Sequence, residues 1–476
     1  MQFTSIPFAY FFLLTLTVTW LVRPWRRVQK GVLLAASYFF YGYLDLRLLG
    51  LLIISSVMNW ALGEAIAKST SRTHAKHWLW LALAFNLLTL GFFKYYGLLQ
   101  RTVESISSGL GLSMHLPLME VFVPLGISFY TFQALSYVID LYRGDGVRAH
   151  RLLDFLLFMG FFPKLVAGPI TRSRQFLVQL TGHAERRIPD LSRAIWLIAS
   201  GFFKKAFIAS FLATRLVEDA FVAPENHSSL ELLVALYAYS IQVFCDFSGY
   251  TDFARGFGLL LGFELPENFN APYAATSIGD FWRRWHMSFS AWLRDYVYYP
   301  LGGSKGHPLR TSMNLVVTFL ICGLWHGANW KFVIWGGIHG VALALHKLMR
   351  DYRRGRGVDI EGPQPWYWLA AGWFITFQLT VFARVFFQSP DLSTAGTYIS
   401  ALFEFTGTGR GLDLGVIVVS LIGLGLNFHG QRSRALLLKL HDSLPWQLRP
   451  AVWVAVGLAL LAIKPSAVAP FIYFQF

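Results

Sequence analysis

A histidine set between two apolar runs is the residue of this 476-residue chain best placed to do chemistry. His326 lies in Cys322-Gly323-Leu324-Trp325-His326-Gly327-Ala328-Asn329-Trp330, with apolar runs from about Met313 to Leu324 and from about Phe332 to Leu345 on either side. At ~1.5 Å rise per residue each arm reaches about 20 Å, short of a ~30 Å hydrocarbon layer. The spacing predicts a turn inside the membrane, where ionisable groups usually line a cavity or act on a substrate. A neutral imidazole there suits removal of a proton from a hydroxyl or thiol as it attacks an acyl carbonyl. A thioester would supply the driving force, and no P-loop or GxSxG elbow suggests another route.

A second histidine lies upstream, in Ser277 to Tyr296 (SIGDFWRRWHMSFSAWLRDY). At 3.6 residues per turn, Trp282, Trp285, Phe289, Trp292, Leu293 and Tyr296 share one face, while Arg283, Arg284, Arg294, Asp280 and Asp295 share the other. Ser277 with Asp280 resembles a capping box. The pattern predicts one amphipathic helix at the membrane interface. His286 falls at the edge of its aromatic face, pointing toward protein or membrane interior. Two readings of it stand, a hydrogen-bonded packing residue and a participant in chemistry. His339 is a weaker candidate, in a Gly336-Gly337 neighbourhood that suggests close helix packing.

Other ionisable residues point elsewhere. His74 and His77 have metal-like spacing but lie in a basic loop without carboxylates or cysteines, so no metal site is expected. Asp246 and Asp252 are six apart and share no helical face, which favours separate pairing with lysines or arginines over a carboxylate dyad. Cys245 and Cys322 lie far apart in apolar context and suggest no disulfide framework.

The elements that must position these residues are membrane helices. The chain is 55% hydrophobic and 14% charged, with a mean hydropathy of +0.47. Its apolar runs are continuous (Phe11 to Val22, Leu49 to Leu62, Leu232 to Phe244), unlike the ~10-residue alternating segments of a barrel. The fold class is therefore an all-α polytopic membrane protein, in one domain over residues 1–476. The segment Phe8 to Val22 lacks a basic stretch before it and a small-residue cleavage site after it, so it reads as a retained helix.

The net charge of +15 sits in short loops between apolar runs, which points to topology and lipid headgroups rather than nucleic acid. Arg23, Arg26, Arg27 and Lys30 after the first helix place the N-terminus in the periplasm or exterior. Later clusters agree: Lys68, Arg72 and Lys76; Arg143, Arg148 and Arg151; Arg353, Arg354 and Arg356; then Arg432, Arg434, Lys439 and Arg449. The helices between them are expected at about Gly31 to Tyr43, Leu49 to Leu62, Trp78 to Phe93 and Val121 to Leu141. Phe161 to Pro169, Lys204-Lys205 and the two aspartates break the central runs, and broken segments at membrane depth must surround a polar cavity.

These residues resemble a known family. Asp280 to Ser288, continuing through Trp292, Arg294-Asp295-Tyr296 and Tyr299-Pro300-Leu301-Gly302-Gly303, is similar to the signature of the membrane-bound O-acyltransferases. Leu324-Trp325-His326-Gly327 with Trp330 resembles the segment holding that family's invariant histidine. Further matches are Pro124 to Gln133, Phe162-Pro163-Lys164 with Ala167-Gly168-Pro169-Ile170, and Asp246-Phe247-Ser248-Gly249-Tyr250. Pro470 to Phe476 resembles the tail of the bacterial alginate O-acetyltransferase branch.

The resemblance implies a helix-lined tunnel with His326 at its waist, His326 and His286 as catalytic residues, and an inner-membrane location. It further implies acetyl transfer from a cytoplasmic donor such as acetyl-CoA, with no permanently bound cofactor, to a periplasmic partner that modifies an exopolysaccharide. The Arg283/Arg284 face would meet either donor phosphates or lipid headgroups. A D-alanyl transferase of the teichoic-acid type shares both histidine motifs, and a non-catalytic transporter or scaffold is a second alternative. The long segment after Arg356 favours the alginate-like branch.

Overall fold

The computed structural model describes residues 1–43, 45–112, 117, 122–149, 151–182, 186–359, 362–405, 412–445, 447–462 and 468–472. Among the described residues every regular element is helical, and seven helices are long and apolar enough to cross a membrane. The chain is an all-α, multi-span membrane protein, as continuous apolar runs require when lipid cannot satisfy backbone groups. It forms two compact units, Met1–Ala194 with Phe253–Pro266, and Ile195–Asp252 with Glu267–Phe476.

Unit 1 holds α1 (Ile6–Leu21), α2 (Arg26–Gly42), α3 (Leu46–Lys68), α4 (Arg72–Gly109), α5 (Ile127–Arg143), α6 (Leu152–Gly160) and α7 (Ser173–Thr181). Side-chain oxygens that take orphan N–H groups start three of them: Ser5 accepts from Phe8 at 3.3 Å, Asp45 from Arg47 at 2.7 Å and Ser71 from His74 at 3.2 Å. The expected start of α5 near Val121 lies outside the described residues. Phe8, Phe40, Phe162 and Phe257 pack edge to face or tilted, with centroids 5.0–6.0 Å apart. The break after α6 carries Lys164, wholly buried, which donates to Gln133 Oε1 and sits 4.5 Å over the Phe158 ring.

Unit 2 contains most of α8 (Leu191–Val222) and α9 (Ser229–Leu260). It continues through α10 (Ile278–Arg284), α11 (Met287–Leu293), α12 (Pro308–His326) and α13 (Trp330–Gly355). It ends with α14 (Trp366–Gln388), α15 (Leu392–Phe403), α16 (Leu414–Ser443) and α17 (Arg449–Ala462). The adjacent lysines of α8 lie in a π-helical turn, Phe203–Ala209. Lys204 pairs with Asp252 at 2.5 Å and Lys205 with Asp246. The two aspartates are paired separately, as their six-residue spacing suggests. Asp246 Oδ2 also accepts the Ile472 N–H at 2.8 Å, so the C-terminal segment docks on the same pair.

Three expectations change. The arms around His326 are not short: α12 has 19 residues and α13 has 26, roughly 28 and 39 Å. Pro308, capped by His307, starts α12 ahead of the apolar run, and Lys347–Asp351 pairing at i,i+4 carries α13 beyond its own. The segment Ser277–Tyr296 is not one helix, since it breaks at His286 between α10 and α11. Arg432, Arg434 and Lys439, expected in a loop, fall within α16, which bends by 77° between Leu414–Gly430 and Ala435–Ser443.

Candidate active site

The break at His286 is built by the chain around Asn268. His286 adopts φ 42°, ψ 55°, a left-handed conformation that costs a non-glycine residue about 1–2 kcal/mol. The turn frees the first N–H groups of α11, and Asn268 takes two of them. Its carbonyl accepts from Met287 at 2.9 Å, and its Oδ1 accepts from Ser288 at 3.2 Å. Asn270 N–H donates to the Arg284 carbonyl at 3.0 Å, fixing the other side of the break. Asn268, 1% exposed, thus replaces the missing helical continuity.

The aromatic stripe survives the break. Trp282, Trp285, Phe289, Trp292, Leu293 and Tyr296 are all buried, along α10, the break, α11 and the π-helical turn Arg294–Tyr298 that follows it. Ser277 Oγ accepts the Asp280 N–H at 3.2 Å, which is one half of the expected capping box. The Asp280 carboxylate instead turns to the arginines, accepting from Arg284 at 2.8 Å and Arg283 at 3.3 Å. Arg283 stays two-thirds exposed, and Arg284 one-third.

His286 is wholly buried among rings, 4.6 Å from Phe247 of α9, 4.9 Å from Phe289 and 5.9 Å from Trp325. His326 is the last residue of α12 and is 5% exposed. Its ring lies 4.9 Å from Trp335, 5.0 Å from Trp325, 5.1 Å from Phe387 and 5.8 Å from Phe289. The α12–α13 hairpin that presents it is drawn tight at paired glycines. A Cβ on Gly336 would lie 2.2 Å from the Phe319 carbonyl oxygen, and one on Gly323 2.1 Å from that of Phe332. Gly337, by contrast, faces only an ordinary contact with Leu320.

A small cavity of about 20 Å³ adjoins His326, and His339, Trp335, Phe387 and Arg384 share its lining. That volume holds about one water. Val243 lines it too, some 21 Å along α9 from its start and 26 Å from its end at 1.5 Å per residue. The depth of His326 therefore rests on its level beside the middle of a 32-residue helix, not on short arms. His339 joins His326 at this cavity, whereas His286 lies outside the lining, next in the chain to Trp285, which lines it, and in ring contact with Phe289 and Trp325.

Sequence reasoning passed over Arg384 and Asn268. Arg384 is a lone cation in the apolar helix α14, a signal that intramembrane charge is usually functional. It is 6% exposed, donates from Nη2 to the Tyr273 hydroxyl at 3.1 Å and stacks 4.8 Å from the Trp285 ring. Arg384 Nε and His339 Nδ1 are buried with no hydrogen-bond partner among the described residues. Asn268 carries no such signal, because its role depends on a break that the sequence does not announce. Among the described residues no group of three His, Cys, Asp or Glu side chains could hold a metal ion, and Cys245 and Cys322 are buried free thiols.

His326, His339 and Arg384 around a small aromatic cavity, with Arg384 Nε and His339 Nδ1 unpartnered among the described residues, can offer hydrogen bonds to a small polar group. The family described as MBOAT, membrane-bound O-acyltransferase, matches residues 147–387, a span holding both histidines and Arg384. The chain is 37% identical to a probable alginate O-acetylase of Azotobacter vinelandii, covering 85% of this chain and 78% of the relative. It is 34% identical to one of Pseudomonas putida, covering 95% of each chain. It is 33% identical to a peptidoglycan O-acetyltransferase of Helicobacter pylori, covering 79% of this chain and 74% of the relative.

Proposed function

Because this chain belongs to the membrane-bound O-acyltransferase family, we propose that it passes an acetyl group across the bacterial inner membrane for O-acetylation of an exopolysaccharide such as alginate. The chain is an O-acyltransferase by family. The acetyl donor is cytoplasmic acetyl-CoA, and a periplasmic acetyltransferase partner receives the group. The N-terminus faces the periplasm, from the basic residues that follow α1.

His326 acts as the general base. It takes the proton of the attacking hydroxyl or thiol as the new acyl bond forms, and returns it to the leaving thiolate as the thioester C–S bond breaks. His286 is the second catalytic histidine, coupled to His326 through Phe289 and Trp325. Arg384 Nε donates a hydrogen bond to the carbonyl oxygen where negative charge develops. Arg283 and Arg284 meet the donor phosphates, in exchange for part of their contact with Asp280. The single observation that carries this reading is the cavity at His326, at the level of mid-α9 and edged by Arg384 Nε and His339 Nδ1, which have no hydrogen-bond partner among the described residues. An acetyl group exceeds one water in size, so its entry requires the side chains lining the cavity to shift.

The test uses purified protein in lipid with radiolabelled acetyl-CoA, with and without the periplasmic partner. Label transfer that requires both His326 and the partner is expected. Transfer that persists undiminished in His326→Ala would defeat the reading.

A further inference from the structure

Unit 1 contains a second, larger cavity of about 720 Å³, a size typical of small-molecule sites. Arg23, Arg26 and Lys30, from the α1–α2 turn and the start of α2, line one side, and Arg186 and Arg187 line the other. None of the described lining residues is acidic. Lys30 is held from beneath by Asp154 at 2.6 Å, and Arg26 Nη1 donates to the Gly182 carbonyl at 2.9 Å.

Arg186 is the most constrained member. Its stem crosses Gly262, where φ is +80° and a Cβ would lie 2.5 Å from Arg186 Cγ. Its guanidinium stacks 3.9 Å from the Phe263 ring centroid, and Nη2 makes a long contact of 3.4 Å with the Gln179 carbonyl. Nη1 is buried with no hydrogen-bond partner among the described residues. Burial, with repulsion from Arg26, pushes the guanidinium down to about 10. A cation held this way gains from an anion that reaches Nη1, and an arginine fork matches a phosphoryl group's tetrahedral oxygens.

We propose that this cavity is a binding site for a phosphate ester, gripped by Arg186 Nη1 and by the exposed guanidiniums of Arg23 and Arg187. The ester could be supplied as the headgroup of an anionic phospholipid or as a soluble nucleotide phosphate. Both present the same chemistry to the cluster, and the test separates them. The site does not depend on the acyl-transfer reading, and its readout is binding rather than activity.

The full chain is placed in phosphatidylcholine nanodiscs and titrated calorimetrically with adenosine 3′,5′-bisphosphate. In a parallel series, phosphatidylglycerol replaces part of the phosphatidylcholine, and the unfolding temperature is followed. Wild type is expected to show a saturable response to one probe, which identifies the source. Arg186→Gln is expected to weaken that response at least tenfold. Because Arg186 packs against Gly262 and Phe263, the exposed pair Arg23→Gln/Arg187→Gln repeats the test without touching the packed residue, with at least a threefold loss expected. No saturable response to either probe overturns the proposal. So does an unchanged response in the double variant or in folded Arg186→Gln.

Discussion

His286 and His326 flank one stacked aromatic pair: Phe289 and Trp325 lie 4.2 Å apart, and each contacts both imidazoles. The two histidines come from different helices, one at a strained break and one at a helix end, yet share a common wall.

Replacing His326 with alanine is expected to lower acetyl transfer by at least ~100-fold, the usual scale of a lost general base, while the protein still accumulates in the membrane. Polymer ester content in a strain lacking the native gene measures the first, and membrane immunoblotting the second. Normal ester content would exclude a catalytic role.

For His286 the backbone allows a cleaner experiment than alanine. Asparagine tolerates the left-handed conformation better than most residues, so His286→Asn should preserve the break between α10 and α11. Activity is expected to fall severely with little change in unfolding temperature. Asn268→Ala leaves the Ser288 N–H without its side-chain acceptor and should cost about 1–2 kcal/mol in stability. Thermal unfolding in detergent compares the two, and an Asn268→Ala variant with unchanged stability and unchanged activity would mean that the kink does not depend on this cap.

The hairpin glycines lend themselves to a packing test. Gly336→Val drives a branched side chain against the Phe319 carbonyl, and overpacking of this kind costs about 1–3 kcal/mol. Gly337→Ala, where only Leu320 is near, should be nearly neutral. Equal effects of the two substitutions on unfolding temperature and activity would show that close approach at Gly336 is unimportant.

Asp391 offers a pH test away from the site. It caps α15, accepting the Thr394 N–H at 2.8 Å and the Thr394 hydroxyl at 3.0 Å. These hydrogen bonds hold its carboxyl below the usual carboxylate range. A depressed value in the folded state means that the cap's contribution is complete above the unfolded value, near ~4, and is lost as pH falls through the folded one. Exposure keeps the effect small. The unfolding temperature should drop more steeply between pH 5 and 3 (about the titration range of such a group) in wild type than in Asp391→Asn. Parallel curves would remove the cap from the account.

Much of this arrangement is written in residue types. The aromatic stripe from Trp282 to Tyr296, the separate pairing of Asp246 and Asp252 with lysines, and the burial of both histidines all follow from periodicity and from the cost of charge in an apolar setting. The lengths of α12 and α13 do not, because hydropathy registers the apolar stretch and is blind to a capped proline or an i,i+4 ion pair that extends the helix. The break at His286 is equally silent. No glycine or proline marks it, and its support comes from Asn268, on a segment the helical pattern never touches. Arg384 was legible as a lone charge in α14, but its meeting with His326 requires the tertiary packing of α14.

The contact between Ile472 and Asp246 bears on how the protein is made. The two residues are 226 positions apart, so at roughly 5–20 residues per second the carboxylate waits about 10 to 45 s for its second partner. Until Ile472 has been made, the Lys205–Asp246 pair between α8 and α9 lacks the N–H that completes it. Unit 2 therefore closes at this pair only after nearly all of the chain has been made, and a chain cut short before residue 472 would lack that contact.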